Sequence, residues 1–208
     1  IGYVTKQVTI GSQSDVVIEM SVEVKKLKAL TIFGDEVINF STKANELTPT
    51  TYTDVSKEKI QERNLGLDLP ILLNFTPSMV TTSDAGGGIG YTSMRIRGSD
   101  ATRINVTLNG IPINDSESHG VYWVNMPDLS SSLDKIQIQR GVGTSSNGAA
   151  AFGATVNLQS SGLSENAFAQ INQTVGSFNT LKTNAQFNTG LIKNNFNFEG
   201  RLSRIPSE

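Results

Sequence analysis

The chain has 208 residues, with 17 Lys and Arg against 19 Asp and Glu, and its net charge of -2 offers no basic face of the kind nucleic acid requires. It contains no cysteine, which excludes disulfide frameworks and thiolate metal sites. Its 19 glycines suit short strands joined by many turns, and no apolar run nears the roughly 18 residues of a membrane helix, so any contact with a membrane must be made by β-strands.

Residues 1–24 read as two strands, Tyr3-Val4-Thr5-Lys6-Gln7-Val8-Thr9-Ile10 and Asp15-Val16-Val17-Ile18-Glu19-Met20, either side of a turn at Gly11-Ser12. Two strands do not make a stable domain, so this is expected to be the end of a small β-sandwich. The opening Ile1-Gly2-Tyr3-Val4 has no Met and no charged n-region; a mature secreted chain reads the same way. Residues 25–53 read as a linker, in which Lys25, Lys26 and Lys28 precede the extended apolar Leu30-Thr31-Ile32-Phe33.

Residues 54–76 carry the helical signals. Asp54 or Ser56 can cap a helix from Val55 to Arg63, and Gly66 suits its stop. Asp68 caps a second, short helix with Pro70 in its first turn and Ile71-Leu72-Leu73 toward a core, and Pro77 is expected to end it. Residues 77–162 then alternate strand and loop. Met94-Arg95-Ile96-Arg97, residues 103–108, residues 135–140 and Thr155-Val156-Asn157-Leu158 have the strand period of two, and Asn109-Gly110 makes 103–113 a hairpin. The intervening loops, 78–92, 114–125 and 142–148, are long and rich in Gly, Ser and Asn, which marks them for function.

Residues 165–204 change character. Leu181, Thr183, Ala185, Phe187 and Thr189 alternate with Lys182, Asn184, Gln186, Asn188 and Gly190. Phe196, Phe198, Gly200 and Leu202 alternate with Asn195, Asn197, Glu199, Arg201 and Ser203, and Ala167, Ala169, Ile171 and Val175 share a face before them. Three strands of this kind, with turns at Ser177-Phe178-Asn179 and Ile192-Lys193-Asn194, carry the alternation of a transmembrane barrel; a soluble meander also alternates. Three strands cannot close a barrel, and open edges are not tolerated in lipid, so the sequence is expected to belong to something larger.

Arg95-Ile96-Arg97-Gly98, Leu108-Asn109-Gly110-Ile111-Pro112, Ile136-Gln137-Ile138-Gln139-Arg140-Gly141 and Gly153-Ala154-Thr155-Val156-Asn157-Leu158 follow one another in order and spacing. Together they resemble the plug of TonB-dependent outer-membrane receptors of the Bacteroidetes type. Val142 stands where that family has Pro, and Gln137 where many members have Glu. Leu27-Lys28-Ala29-Leu30-Thr31-Ile32-Phe33-Gly34 sits where such receptors carry the TonB box, with Ala29 in place of an acidic residue, and residues 1–24 resemble the end of a carboxypeptidase-regulatory-like domain.

The resemblance implies an α+β plug, a small mixed sheet with short helices and long loops, followed by the first strands of a transmembrane antiparallel β-barrel, mostly β overall. The implied division is 1–24 sandwich end, 25–44 linker with TonB box, 45–162 plug and 163–208 about three barrel strands. It implies TonB-energised import across the Gram-negative outer membrane, no enzyme activity, no cofactor, and outer-membrane lipid, TonB, a ferric siderophore and a surface lipoprotein as partners, with no nucleic acid. Leu27, Leu30, Thr31 and Ile32 are expected to couple to TonB by adding a strand to its sheet. Arg97 and Arg140 are expected to lock the plug to barrel-wall carboxylates. Tyr91, His119, Tyr122, Trp123 and Asn147, on the apical loops, are expected to meet the ligand, although Trp123 suits the core as well.

Other chemistries find little footing. Asp115, Glu117 and His119 stand at i, i+2 and i+4, yet in a polar loop such groups are usually solvated rather than metal-bound. Gly86-Gly87-Gly88 lacks the following Lys of a phosphate loop. The chain has one His, no nucleophile elbow and no motif that pairs carboxylates. Receptors for glycans or peptides, a signalling receptor and a secreted adhesion protein are the alternatives.

Overall fold

The computed structural model describes residues 2–3, 22–23, 43–44, 48–143, 147–148, 150–177, 179–193 and 195–206, in two units, 1–33 and 34–208. In the first, β1 (Gly2–Tyr3) pairs antiparallel with β2 (Val22–Glu23). Residues 4–10 and 15–20, and the expected coupling residues Leu27, Leu30, Thr31 and Ile32, lie outside the described residues.

Among the described residues of the second unit, a strand stands where a helix start was expected. β3 (Thr51–Ser56) runs antiparallel to a later strand over its whole length, because Thr51, Tyr52, Thr53 and Val55 suit a pleated surface better than a helix. α1 (Lys57–Arg63) therefore starts after Ser56, its N-cap, and buries only Ile60. α2 (Leu69–Leu72) follows Asp68 as expected but ends at Leu73, not at Pro77; turns closed by Asn74 and Thr76 lie between. The loop expected over 78–92 is half strand: the β-branched run from Val80 to Thr82 puts β4 (Met79–Ser83) against β5 (Thr92–Ile96), so only residues 84–91 form the loop.

β6 (Ile104–Leu108) turns through Asn109 and Gly110, at φ 51° and 82°, into β7 (Ile111–Pro112), the left-handed pair of a two-residue hairpin. β8 (Leu133–Arg140) and β9 (Ala154–Ser160) complete a mixed sheet of order β3-β8-β9-β6-β7, parallel only between β6 and β9. Strand alternation sorts its two faces. Ile136, Ile138, Val156, Leu158, Ile104 and Val106 join Leu72, Leu73, Met94, Ile96 and Trp123 in one core; each buried large aliphatic contributes about 1.5–3 kcal/mol.

The other face is polar and is nonetheless buried: Asn105, Thr107, Gln137, Gln139, Thr155 and Asn157 are all 5% exposed or less. Hydrogen bonds make this tolerable for most of these groups, since an unpaired buried amide costs about 1–3 kcal/mol, while Asn105 Oδ1 and Thr155 Oγ1 find no partner among the described residues. Thr107 donates to Asn157 at 2.7 Å, and Gln139 donates to Gln137 at 3.0 Å. Gln137 also pairs both ways with the Ala44 main chain, at 2.7 and 3.0 Å.

β10 (Ala167–Val175), β11 (Leu181–Thr189) and β12 (Glu199–Arg204) form an antiparallel sheet in chain order. Its polarity is inverted. Ile171, Val175, Phe187 and Leu202 are exposed on one side, while Lys182, Asn184 and Asn188 are buried on the other at 3% or less. A soluble meander hides its apolar face; a barrel wall shows that face to lipid. No helix among the described residues is long and apolar enough to cross a membrane.

Candidate functional site

Asp128 joins these two layers. It takes the left-handed conformation, φ 54°, just before a 3₁₀ turn at Leu129–Ser132, and its side chain is 1% exposed. Its Oδ1 accepts from Lys182 Nζ at 2.5 Å, Ser131 Oγ at 2.6 Å and Asn64 Nδ2 at 3.4 Å. Its Oδ2 accepts from Arg201 Nη1 at 2.9 Å, Asn184 Nδ2 at 3.2 Å and the Ser203 hydroxyl. Lys182 completes three donations with Asn64 Oδ1 at 2.7 Å and Ser131 Oγ at 3.2 Å. Its stem lies over Gly66, where an added Cβ would stand 3.2 Å from Lys182 Cδ. Burial opposes ionisation of Asp128, but the hydrogen bonds from Lys182, Ser131 and Ser203 outweigh it and hold the carboxyl below the usual carboxylate range.

A second site lies where two loops meet. Tyr91, Tyr122 and Trp123 line one cavity of about 240 Å³ together with Asp84, Thr92 and Val121. Trp123 is also 4% exposed and belongs to the core, as its alternative reading expected. Tyr91 and Tyr122 are exposed at 66% and 49%. Asp68 underlies this cavity: its Oδ2 accepts from Gly90 N at 3.0 Å and Thr92 Oγ1 at 2.8 Å. Burial pushes its carboxyl above the usual range, against those two hydrogen bonds.

The family model of the TonB-dependent receptor plug domain matches residues 44–155, more than half of the chain. The chain belongs to this family.

The plug fold recurs in solved receptors. FpvA of Pseudomonas aeruginosa, bound to heterologous pyoverdines, is similar at 17% identity and a TM-score of 0.64, over 77% of this chain and 21% of its own. The siderophore receptor PiuA of Acinetobacter baumannii follows at 19% and 0.62, over 82% and 23%, and the alcaligin receptor FauA of Bordetella pertussis at 20% and 0.58, over 77% and 27%. This chain thus spans about a quarter of such receptors or less. A comparison with curated proteins finds no match. The plug places this chain in the Gram-negative outer membrane.

Within the plug, the remaining expected residues scatter. His119, at φ 58°, is exposed; its N–H donates to Asp115 O at 2.9 Å, and it does not line the cavity of Tyr91 and Tyr122. Asp115 caps that turn, accepting from Ser118 N at 2.7 Å and Glu117 N at 3.1 Å, and these bonds, Ser118's first, lower its pKa. No cluster that could hold a metal occurs among the described residues. Asn147 is 1% exposed; its amide donates to Gln139 at 3.0 Å, and its carbonyl accepts from Asn105, so it seals the buried polar face of the sheet.

Arg97 and Arg140 converge on one corner. Arg140 Nη1 donates to Pro77 O at 3.2 Å, and a Cβ on Gly141 would stand 3.3 Å from Arg97 Nη1. Neither forms an ion pair among the described residues. The ion pairs from plug to wall that are seen run with opposite polarity, from wall cations to a plug carboxylate. Sequence reasoning missed Asp128, although its partners carried a signal: Lys182 and Arg201 are the cations on the water-side positions of β11 and the wall's third strand.

Proposed function

We propose that this chain supplies the gate of an outer-membrane importer for a ferric siderophore-type complex, energised by TonB. The observation that carries the reading is the Asp128 cluster: a plug carboxylate held by Lys182 and Arg201 on the polar face of strands whose other face is apolar and exposed supports a plug seated as a stopper within a barrel. Tyr91, Tyr122 and Trp123 would meet the ligand by stacking and apolar contact, with Asp84 beside them. The convergence of Arg97 and Arg140 supports a second lock, to carboxylates on wall strands beyond this chain, and Leu27, Leu30, Thr31 and Ile32 would join TonB's sheet as an added strand. The siderophore receptors among the structural relatives support an iron complex over a glycan or peptide.

The test is growth of a strain lacking the full-length receptor on a panel of ferric siderophores and glycans. Lost growth on one iron source alone is expected; lost growth on a glycan alone would redirect the ligand. Deleting residues 27–34 in the full-length receptor should abolish uptake and leave binding intact. Unchanged uptake would remove the coupling assignment.

A further inference from the structure

We propose that Asp68 is the residue that positions Tyr91 in the apical cavity, an inference that rests on the ligand reading of that cavity. Asp68 stands at the N-cap of α2 but makes no cap bond with its side chain. The carboxylate is turned instead to the hairpin between β4 and β5, where one oxygen, Oδ2, takes the Gly90 N–H and the Thr92 hydroxyl. These are the two neighbours of Tyr91. The Asp68 main chain adds a third tie, its N–H donating to Gly88 O at 2.9 Å.

The loop needs such a tether. Residues 86–90 include Gly86, Gly87, Gly88 and Gly90, and of these Gly86, Gly88 and Gly90 take positive φ. A backbone this permissive has much freedom to lose, and its own preferences do not aim a side chain. The one hydrogen bond at Tyr91 itself among the described residues is from Asp84 N to Tyr91 O at 3.1 Å; Ser83 holds the first half of the arc, taking Gly86 N at 3.1 Å and Gly88 N at 3.0 Å, and Asp68 holds the half that carries Tyr91. Asp68, 5% exposed and anchored behind Leu69 and Leu72 in the core, is the rigid point from which that arc is held. The Gly-rich run thereby has a role without any phosphate: positive φ at Gly88 and Gly90 turns the chain so that one buried carboxylate reaches both sides of Tyr91.

The test uses the full-length receptor carrying Tyr91→Cys and follows its labelling by a membrane-impermeant maleimide, with Glu117→Cys as a control in a loop that Asp68 does not touch. Adding Asp68→Ala should raise labelling at position 91 at least about fivefold, as expected for loss of two hydrogen bonds. Asp68→Asn keeps an acceptor oxygen and should stay within about twofold. Thr92→Val removes one donor only and should fall between. Labelling at 91 unchanged in Asp68→Ala, with the control unchanged, overturns the proposal. If Asp68→Ala raises both sites it has loosened the plug as a whole, and Thr92→Val decides: a rise at 91 alone sustains the proposal, and no rise overturns it. Labelling that responds, while the receptor with Tyr91 intact and Asp68→Ala takes up every panel compound as the parent does, would sink the ligand reading and leave the positioning role standing.

Discussion

Lys182 Nζ lies 2.5 Å from Asp128 Oδ1, with the two side chains 3% and 1% exposed. One belongs to a wall strand and the other to the plug, so this contact, with that of Arg201 to the same carboxylate, joins the two. A buried pair of this kind is weak evidence for net stability, because desolvation offsets much of the attraction. Breaking it is another matter, since the partner is left charged and unpaired.

Asp128→Ala should therefore destabilise the docked plug by about 3–5 kcal/mol, leaving Lys182 and Arg201 without their anion. The urea midpoint for plug unfolding in the full-length receptor would fall, and outer-membrane leakage of small solutes would rise. A midpoint within error of the parent would show that the cluster carries no docking energy.

The same carboxylate sets a pH dependence. Its folded pKa is depressed, so the unfolded chain takes up the proton first as pH falls. Its contribution is thus complete above the ordinary carboxylate range, about pH 4, and is lost as pH falls through the lowered folded value. Acid titration of the plug should be steeper in the parent than in Asp128→Asn. Parallel titrations would refute the assignment.

Gly153 tests the closeness of packing beneath the plug sheet. An added Cβ would collide with the Ser99 side chain and stand 3.2 Å from Arg103 O, while Gly153 N already donates to that oxygen at 2.9 Å. Gly153→Ala should cost about 1–3 kcal/mol, read from the same unfolding midpoint. Adding Ser99→Gly should restore part of the loss, because the hydroxymethyl is the nearer obstacle; no restoration would place the strain elsewhere.

Leu202 is 75% exposed on the outward face of β12. If that face meets lipid, Leu202→Lys should cost up to about 2–4 kcal/mol in reversible folding of the full-length receptor into vesicles, and Leu202→Ala much less. Equal costs for the two variants would mean that the face meets water.

The plug was legible because its motifs are backbone statements. Asn109-Gly110 specifies a two-residue hairpin wherever it lies, and alternation in 135–140 and 155–158 specifies strands with two unlike faces. The same alternation in 167–204 determined which side of the wall is apolar. What it did not determine is what covers each face. The amides of Gln137, Gln139 and Asn157 look solvent-facing in sequence, yet Ala44 and Asn147 close over that side of the sheet, and Asn147 is thereby a seal rather than an exposed contact. β3 was missed because its strand character depends on having β8 beside it. Asp128 was missed for the physical reason that charge pairing depends on distance in space: its partners Lys182 and Arg201 lie 54 and 73 positions along the chain. Sequence alone determined the plug and which face of the last three strands is apolar, since both follow from local backbone preference and side-chain alternation. Only the tertiary structure decided how the plug is fastened to those strands, because that rests on one buried carboxylate and cations brought to it by folding.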